Sequence, residues 1–216
     1  EGFQPRIIKG GQVKSINQFY NKSRAELQSQ LPNHPTLKDS NGNPRQLTNS
    51  NKIDSLTHKR NCKLENEFHS YSNKIIDLCV QYDIGTVVVG CNKGWKQESN
   101  MSKTVNQNFV SIPYTKLTHQ LKYKSELIGN VVVEQEESYT SKVSFVDDEE
   151  IPVYNKKNYV HYVSTGTRKE RGMFITKSGR RINSDVNGSY NILRKYMKTI
   201  GRLLESSRCL LVPIVI

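Results

Sequence analysis

The chain lacks any apolar run near the roughly 18 residues that a membrane span requires. It has four cysteines in 216 residues, too few for a disulfide scaffold. None of Cys62, Cys79, Cys91 and Cys209 lies within four residues of another, so no C-x2–4-C zinc half-site exists. The five histidines are scattered and form no HExxH or HxH pair. Acid is scarce too: 20 Asp and Glu stand against 32 Lys and Arg, a net charge of +12. No basic segment leads into an apolar stretch at the start, so no secretory signal is expected, and a chain opening on Glu1 reads as cut from a longer one. Hydrophobic residues are 35%, too many for disorder by default. What these absences leave is a globular, basic, cytoplasmic chain with buried, reduced thiols and a polyanion as its first expected partner.

The patterning is that of an α/β protein. Residues 5–16 read as two short strands turning at Gly10-Gly11. Ile16, Tyr20, Leu27 and Leu31 then share a helical face that Pro32 ends. Residues 32–50 have loop composition. The spacing of Ile53, Leu56, Leu64, Phe68, Tyr71, Ile75 and Leu78 predicts one long amphipathic helix from about Asn51 to Tyr82. Its first half carries Lys52, Lys59, Arg60 and Lys63. With Lys22 and Arg24 on the helix before it, this is either a nucleic-acid-facing hairpin or an ordinary solvated face.

Ile84 to Gly90 is a β-branched run of the kind buried on both faces of a sheet. A helix is expected over Thr115–Ile128 with Gly129 as its cap, then a strand from Asn130 to Tyr139. Residues 145–184 are mixed, acidic at first and basic later. A last helix starts near Asp185, with Tyr190, Leu193, Met197, Ile200 and Leu204 at helical spacing. Helices alternating with buried strands argue for a sheet with helices packed on it.

Carboxylates at the ends of such strands are candidate ligands for Mg2+, which takes hard oxygen donors. Glu134, Glu136 and Glu137 end one strand, and Asp185 opens the last helix. Each has an ordinary alternative: solvation for the glutamates, helix capping for the aspartate.

The neighbouring residues change the weighing of these readings. Asp185-Val186-Asn187-Gly188-Ser189-Tyr190-Asn191-Ile192 resembles the D-x-N-(A/G)-(A/S)-x-N-(I/L) box that closes the RuvC-like nuclease domain of TnpB (OrfB) proteins. Glu137-Ser138-Tyr139-Thr140-Ser141-Lys142 resembles the E-x-Y-T-S motif of that family. Gly90-x-Asn92-x-x-Trp95-Lys96-Gln97, then Asn106-x-x-Phe109-x-x-Ile112-Pro113 and Tyr123-Lys124, resemble one of its subgroups, as does Lys14-Ser15-Ile16-Asn17-Gln18-x-Tyr20-Asn21-Lys22. Four ordered motifs cover nearly the whole chain.

The resemblance implies an RNase H-like (RuvC) mixed sheet with flanking helices and a long helical-hairpin insertion. On it, 1–14 hold strands 2 and 3, 15–82 the basic hairpin, 83–143 the core, 144–184 a zinc-ribbon-like insert, and 185–216 the final helix and tail. It implies an RNA-guided, metal-dependent DNA endonuclease encoded by a transposable element, nucleoid-associated in the cytoplasm, with guide RNA and double-stranded target DNA as partners. Mg2+ or Mn2+ would sit on Glu137 and Asp185, with Glu136 in reserve. Asn187 and Asn191 would order the helix start, and Lys142 or Arg171 would hold a phosphate. Lys22, Arg24, Lys52, Lys59, Arg60, Lys63, Lys96, Arg168 and Lys169 would grip backbone. Trp95, Tyr114 and Tyr123 are candidate stacking rings, with core packing the alternative for the tyrosines.

Three departures qualify the resemblance. The family's first catalytic Asp, in a D-x-G motif, falls before Gly2, so the first strand is expected to be missing. The position where many relatives carry a second acid is Gly90, which cannot bind metal, and Glu137 on the next strand is the candidate in its place. The zinc-ligand positions are Ser144, Asp147, Ile175 and Ser178, so no zinc is expected and the insert is either held by packing or mobile. The competing function is a catalytically dead remnant that only binds nucleic acid.

Overall fold

The computed structural model describes residues 4–91, 112–153, 163–170, 172–204, 209 and 211–216. They fall into two compact units, a helical one (residues 10–81 and 98–124) and a strand-bearing one (1–9, 82–97 and 125–216). No helix among the described residues is long and apolar enough to cross a membrane.

In the helical unit, α1 (Gly11–Ser29) and α2 (Asn51–Gln81) form a hairpin, joined by the strands β2 (Asn33–Lys38) and β3 (Pro44–Gln46). Most of α3 (Tyr114–Leu127) belongs to the same unit. The core is Val13, Leu64, Phe68 and Ile112, with Ile16, Tyr71, Tyr114 and Leu117 against it. Two expectations are corrected here. Gly10-Gly11 is not a strand turn. Val13, Ile16, Asn17 and Tyr20 fall at i, i+3, i+4 and i+7, and burying that stripe carries α1 back to Gly11. Residues 32–50 are not bare loop either. The antiparallel pair β2–β3 turns at Asn41-Gly42, where Gly42 takes φ +82° and the Asp39 Oδ1 accepts from the amides of Asn41 and Asn43, both at 2.9 Å.

In the strand-bearing unit, β1 (Arg6–Ile7) runs parallel to β9 (Ile214–Val215). The central pair is β4 (Thr86–Cys91) and β5 (Val131–Glu136), parallel and in continuous register from Thr86↔Val131 to Cys91↔Glu136. Both are half-buried rather than covered on both faces, and Thr86 and Val131 are exposed. Three short strands, β6 (Thr167–Glu170), β7 (Met173–Ile175) and β8 (Arg181–Asn183), form an antiparallel sheet. Helix α4 (Ser184–Thr199) packs on β4, β5, β7 and β8. The architecture is thus mixed α/β with small sheets. Val143, Phe145, Phe174, Ile182 and Val186 make the core. Gly129 caps α3 at φ +77°, where its lack of a Cβ is required.

The region of the zinc-ribbon-like positions is held by hydrogen bonds and packing in its described part. Ser144 Oγ donates to Asp147 Oδ2 (2.6 Å), which also accepts from the Lys177 amide (3.0 Å), while the Thr176 and Ser178 hydroxyls pair at 3.0 Å. The Glu149 carboxylate accepts from the amides of Ser144 and Thr165 and from Ser164 Oγ. Phe145 stacks on Tyr190 at 4.7 Å, and the Arg194 guanidinium lies over the Phe145 ring. None of the four cysteines is in a disulfide, but only Cys79 is buried. Cys62 is exposed, which corrects the expectation of buried thiols.

Candidate active site and nucleic-acid face

Strand β5 delivers Glu136 and Glu137 to the edge of a tight turn. The Glu137 amide donates to Cys91 O, continuing the β4–β5 ladder by one residue. The chain then folds back through Thr140 N→Glu137 O and Val143 N→Tyr139 O, with Tyr139 at φ +66°, an uncommon conformation for a large side chain. That turn places the Glu137 carboxylate directly over Gly90. A Cβ on residue 90 would collide with Glu137 Oε2 and with Ile192 Cδ1 of α4. The missing side chain at 90 is therefore the space that the Glu137 carboxylate occupies.

The two adjacent glutamates are in different electrostatic states. Burial pushes the Glu136 carboxyl up, but hydrogen bonds from Lys195 and Ser138 outweigh it and hold the group below its ordinary range. Lys195 Nζ pairs with Glu136 Oε2 and reaches Ser138 O at 3.4 Å. Glu137 has no such clamp. Burial, then the charge of Glu136, raise its pKa, and the Lys195 charge offsets this only in part. A half-buried carboxylate beside a like charge is a place where a cation lowers the energy. Glu136 is already paired with Lys195, whereas Glu137 makes no such ion pair among the described residues.

Asp185 is not the helix cap. Asn183 Oδ1 accepts from the amides of Asp185 (2.9 Å) and Val186 (3.1 Å) and does that work. The exposed Asp185 carboxylate makes no hydrogen bond or ion pair among the described residues. Seven residues separate it from Ile192, which puts the two on one face of α4, about 10 Å apart along the axis. Ile192 in turn touches the space over Gly90. Glu137 thus lies beside Ile192, and Asp185 lies two turns toward the N-terminus on the same face of α4. No group of three or more His, Cys, Asp or Glu that could hold a metal forms among the described residues.

Asn187 and Asn191 are fully buried and tie the two motifs together. Asn187 Oδ1 accepts from the Phe145 amide (2.9 Å) and its Nδ2 donates to Val143 O (2.8 Å). Asn191 Nδ2 donates to Thr140 O (2.9 Å) and Val143 O (2.8 Å). One turn of α4 thus reads the backbone of the turn that follows Glu137.

On the helical unit, Lys22, Arg24, Lys52, Lys59 and Lys63 are exposed. Lys52, Lys59 and Lys63, at i, i+7 and i+11, form a stripe along α2. Arg60 is placed differently from its basic neighbours, being half-buried and engaged within the hairpin. Its Nε and Nη2 donate to Asn17 Oδ1 at 2.8 and 2.7 Å, and its guanidinium lies over the Tyr20 ring. It joins α2 to α1, because the buried Asn17 oxygen needs donors there. Tyr114 packs against the core, and burial raises its pKa. Tyr123 is partly exposed beside His119, with ring centroids 5.9 Å apart, in a groove of about 410 Å³ between α2 and α3. Arg168 on β6 and Lys142 are exposed. Trp95, Lys96, Arg171 and the side chain of Lys169 lie outside the described residues.

Three comparisons bear out the TnpB resemblance. Residues 114–192 match the family model described as Cas12f1-like, TNB domain, a span that contains Glu137, Asp185, Asn187 and Asn191. The TnpB-like protein ORF457 of Acidianus two-tailed virus is 23% identical over 191 residues, which cover 88% of this chain and 36% of that protein. The cryo-EM structure of a Cas12f1–sgRNA–target DNA complex contains a chain of similar fold, with a TM-score of 0.54 and 17% identity, covering 83% of this chain and 41% of the other. The chain spans well under half the length of either relative.

Proposed function

We propose that this chain carries metal-binding carboxylates of a TnpB-type, RNA-guided DNA endonuclease built on an RNase H-like (RuvC) core. The observation that carries this reading is the Glu137 carboxylate over Gly90. Many relatives are expected to place an acid at the position of Gly90. Here the neighbouring strand supplies the carboxylate, and the glycine leaves room for it.

The donor chemistry of the two acids would suit Mg2+ or Mn2+. Glu137 and Asp185 offer hard oxygens, and the raised Glu137 carboxyl would be relieved by a cation. When bound, the metal would polarise a phosphodiester oxygen and lower the pKa of an attacking water. Lys195 would keep Glu136 engaged when an ion binds, and Asn187 and Asn191 would fix the turn that carries Glu137. The Cas12f1 complex holds an sgRNA and target DNA, and a guide RNA and target DNA are the proposed partners of this chain. Lys22, Arg24, Lys52, Lys59, Lys63 and Arg168 would contact phosphates without reading sequence. The proposed location is the nucleoid in the cytoplasm.

Mn2+ binding followed by electron paramagnetic resonance tests the site. Glu137→Gln and Asp185→Asn should each weaken binding at least about tenfold. The double change Gly90→Asp/Glu137→Ala should recover part of the loss, because it returns a carboxylate to the same space. Unchanged Mn2+ affinity in Glu137→Gln would remove Glu137 from the site. Two carboxylates alone rarely fix Mg2+, so the 216-residue chain with guide RNA and Mg2+ should not cleave DNA. Guided cleavage by that chain would overturn the two-acid description. A second reading, nucleic-acid binding without hydrolysis, rests on the exposed lysines of α2, which need no metal to hold phosphates. It requires salt-dependent RNA binding that survives loss of both acids.

A further inference from the structure

We propose that His58 and Cys62 form a binding site for a soft divalent metal, Zn2+ or Co2+, on the exposed face of α2. The two residues stand one helical turn apart and both side chains reach solvent. Cys62 Sγ and His58 Nε2 are 3.6 Å apart. Two tetrahedral ligands of one Zn2+, at about 2.3 Å for sulfur and about 2.05 Å for nitrogen, lie about 3.6 Å from each other. The S···N separation thus matches the bite that one tetrahedral ion requires.

The donor types choose the metal. A thiolate and an imidazole select Zn2+ or Co2+ over Mg2+, whereas the Glu137–Asp185 carboxylates choose the reverse. Binding takes the imidazole neutral and releases the thiol proton, so affinity rises with pH. No third His, Cys, Asp or Glu joins the pair to form a metal group among the described residues. Water fills the remaining positions at one ion per chain, and the same pair from a second copy would fill them at one ion per two chains. Neither residue belongs to the motifs shared with TnpB-type proteins, and the site stands apart from the proposed nuclease function.

Cobalt titration of the whole chain, reduced with a phosphine, tests it. A thiolate-to-cobalt charge-transfer band should appear and saturate at one ion per one or two chains. Cys62→Ser should abolish the band, and His58→Ala should weaken binding by at least about tenfold, since even indirect supporters of a ligand are worth that much. Both changes are on the exposed face of a regular helix, so far-ultraviolet circular dichroism should stay the same. A band that persists in Cys62→Ser, or an affinity indifferent to His58→Ala, would show that the two atoms share only a weak S–H···N contact.

Discussion

Replacing Asn187 by Ala should destabilise the strand-bearing unit more than replacing Asn191, although both side chains are fully buried and both touch Val143 O. The two changes remove the same volume, so cavity terms cancel to first order. The hydrogen bonds do not cancel. Loss of Asn187 deletes two bonds and strands the Phe145 amide, a buried donor with no other acceptor, while Val143 O keeps Asn191. At about 1 kcal/mol per bond plus the orphaned donor, the cost is about 2–4 kcal/mol. Loss of Asn191 also deletes two bonds and strands Thr140 O. It removes in the same step the buried Asn191 Oδ1, which has no donor in the native fold. Eliminating that unpaired acceptor offsets part of the loss, leaving about 1 kcal/mol. Urea unfolding should therefore give a lower midpoint for Asn187→Ala than for Asn191→Ala with the same m value. Near-ultraviolet circular dichroism should report the Phe145–Tyr190 stack in each. Equal midpoints, or the reverse order, would refute the assignment of these asparagines as backbone readers of unequal weight.

Arg60→Ala should cost about 2–4 kcal/mol by leaving the buried Asn17 oxygen without its two donors, and Arg60→Lys should not restore it, because an ammonium lacks the planar fork; an unchanged thermal midpoint would return Arg60 to the nucleic-acid face. Glu137 has a raised folded pKa, so its ionised form weakens the metal-free fold at neutral pH and this penalty fades as pH falls through that pKa. Glu137→Gln should then raise Tm at pH 7 in chelator and lose the gain in acid. Glu136 works in the opposite sense: its lowered pKa supports the fold above the ordinary glutamate value of 4.5, and that support is lost as pH falls through the folded pKa. Replacing Lys52, Lys59 and Lys63 together by Ala should flatten the log–log salt dependence of single-stranded RNA binding by about 2, at roughly 0.7 per phosphate contact. An unchanged slope would place the RNA elsewhere.

Periodicity was enough to locate α2, whose observed span Asn51–Gln81 stops one residue short of the expected one, because about thirty residues of regular apolar spacing average out local noise. Gly129 marked the end of α3 for a similar reason: a glycine directly after a periodic run meets a steric need. The start of α1 was hidden by Gly10-Gly11, two residues that look like a turn when Val13, Ile16 and Tyr20 are not counted as one stripe. The β2–β3 hairpin was hidden because its strands are exposed and carry no alternating apolar signal, so the segment reads only as loop by composition. Arg60 could not be told from Lys59 and Lys63, since the Asn17 that engages it lies 43 positions away. The acids were legible through their motifs, but the space that separates Glu137 from Glu136 in role was not. It depends on Gly90 and Lys195, which come from other elements.

The pairing of Gly90 with Glu137 is a constraint that the sheet itself imposes. Gly90 is in register with Gln135 on the adjacent parallel strand. Glu137, two residues on, points to the same face as Gln135, because side chains alternate along a strand. Its carboxylate therefore arrives where a side chain on residue 90 would stand, and Ile192 closes the third side. The two positions cannot both carry large groups aimed at that space. A carboxylate can come from β4, with a small or turned-away residue after β5, or from β5, with glycine in β4. Among relatives, those with an acid at the position of Gly90 should lack a buried acid at that of Glu137, and those with Glu there should keep glycine on β4. An alignment of TnpB-like sequences checks this directly. Frequent coexistence of a β4 acid with a Glu at position 137 would mean that the Glu137 carboxylate turns elsewhere when residue 90 has a side chain, and its placement over Gly90 would then be a consequence of the glycine rather than a replacement for the lost acid.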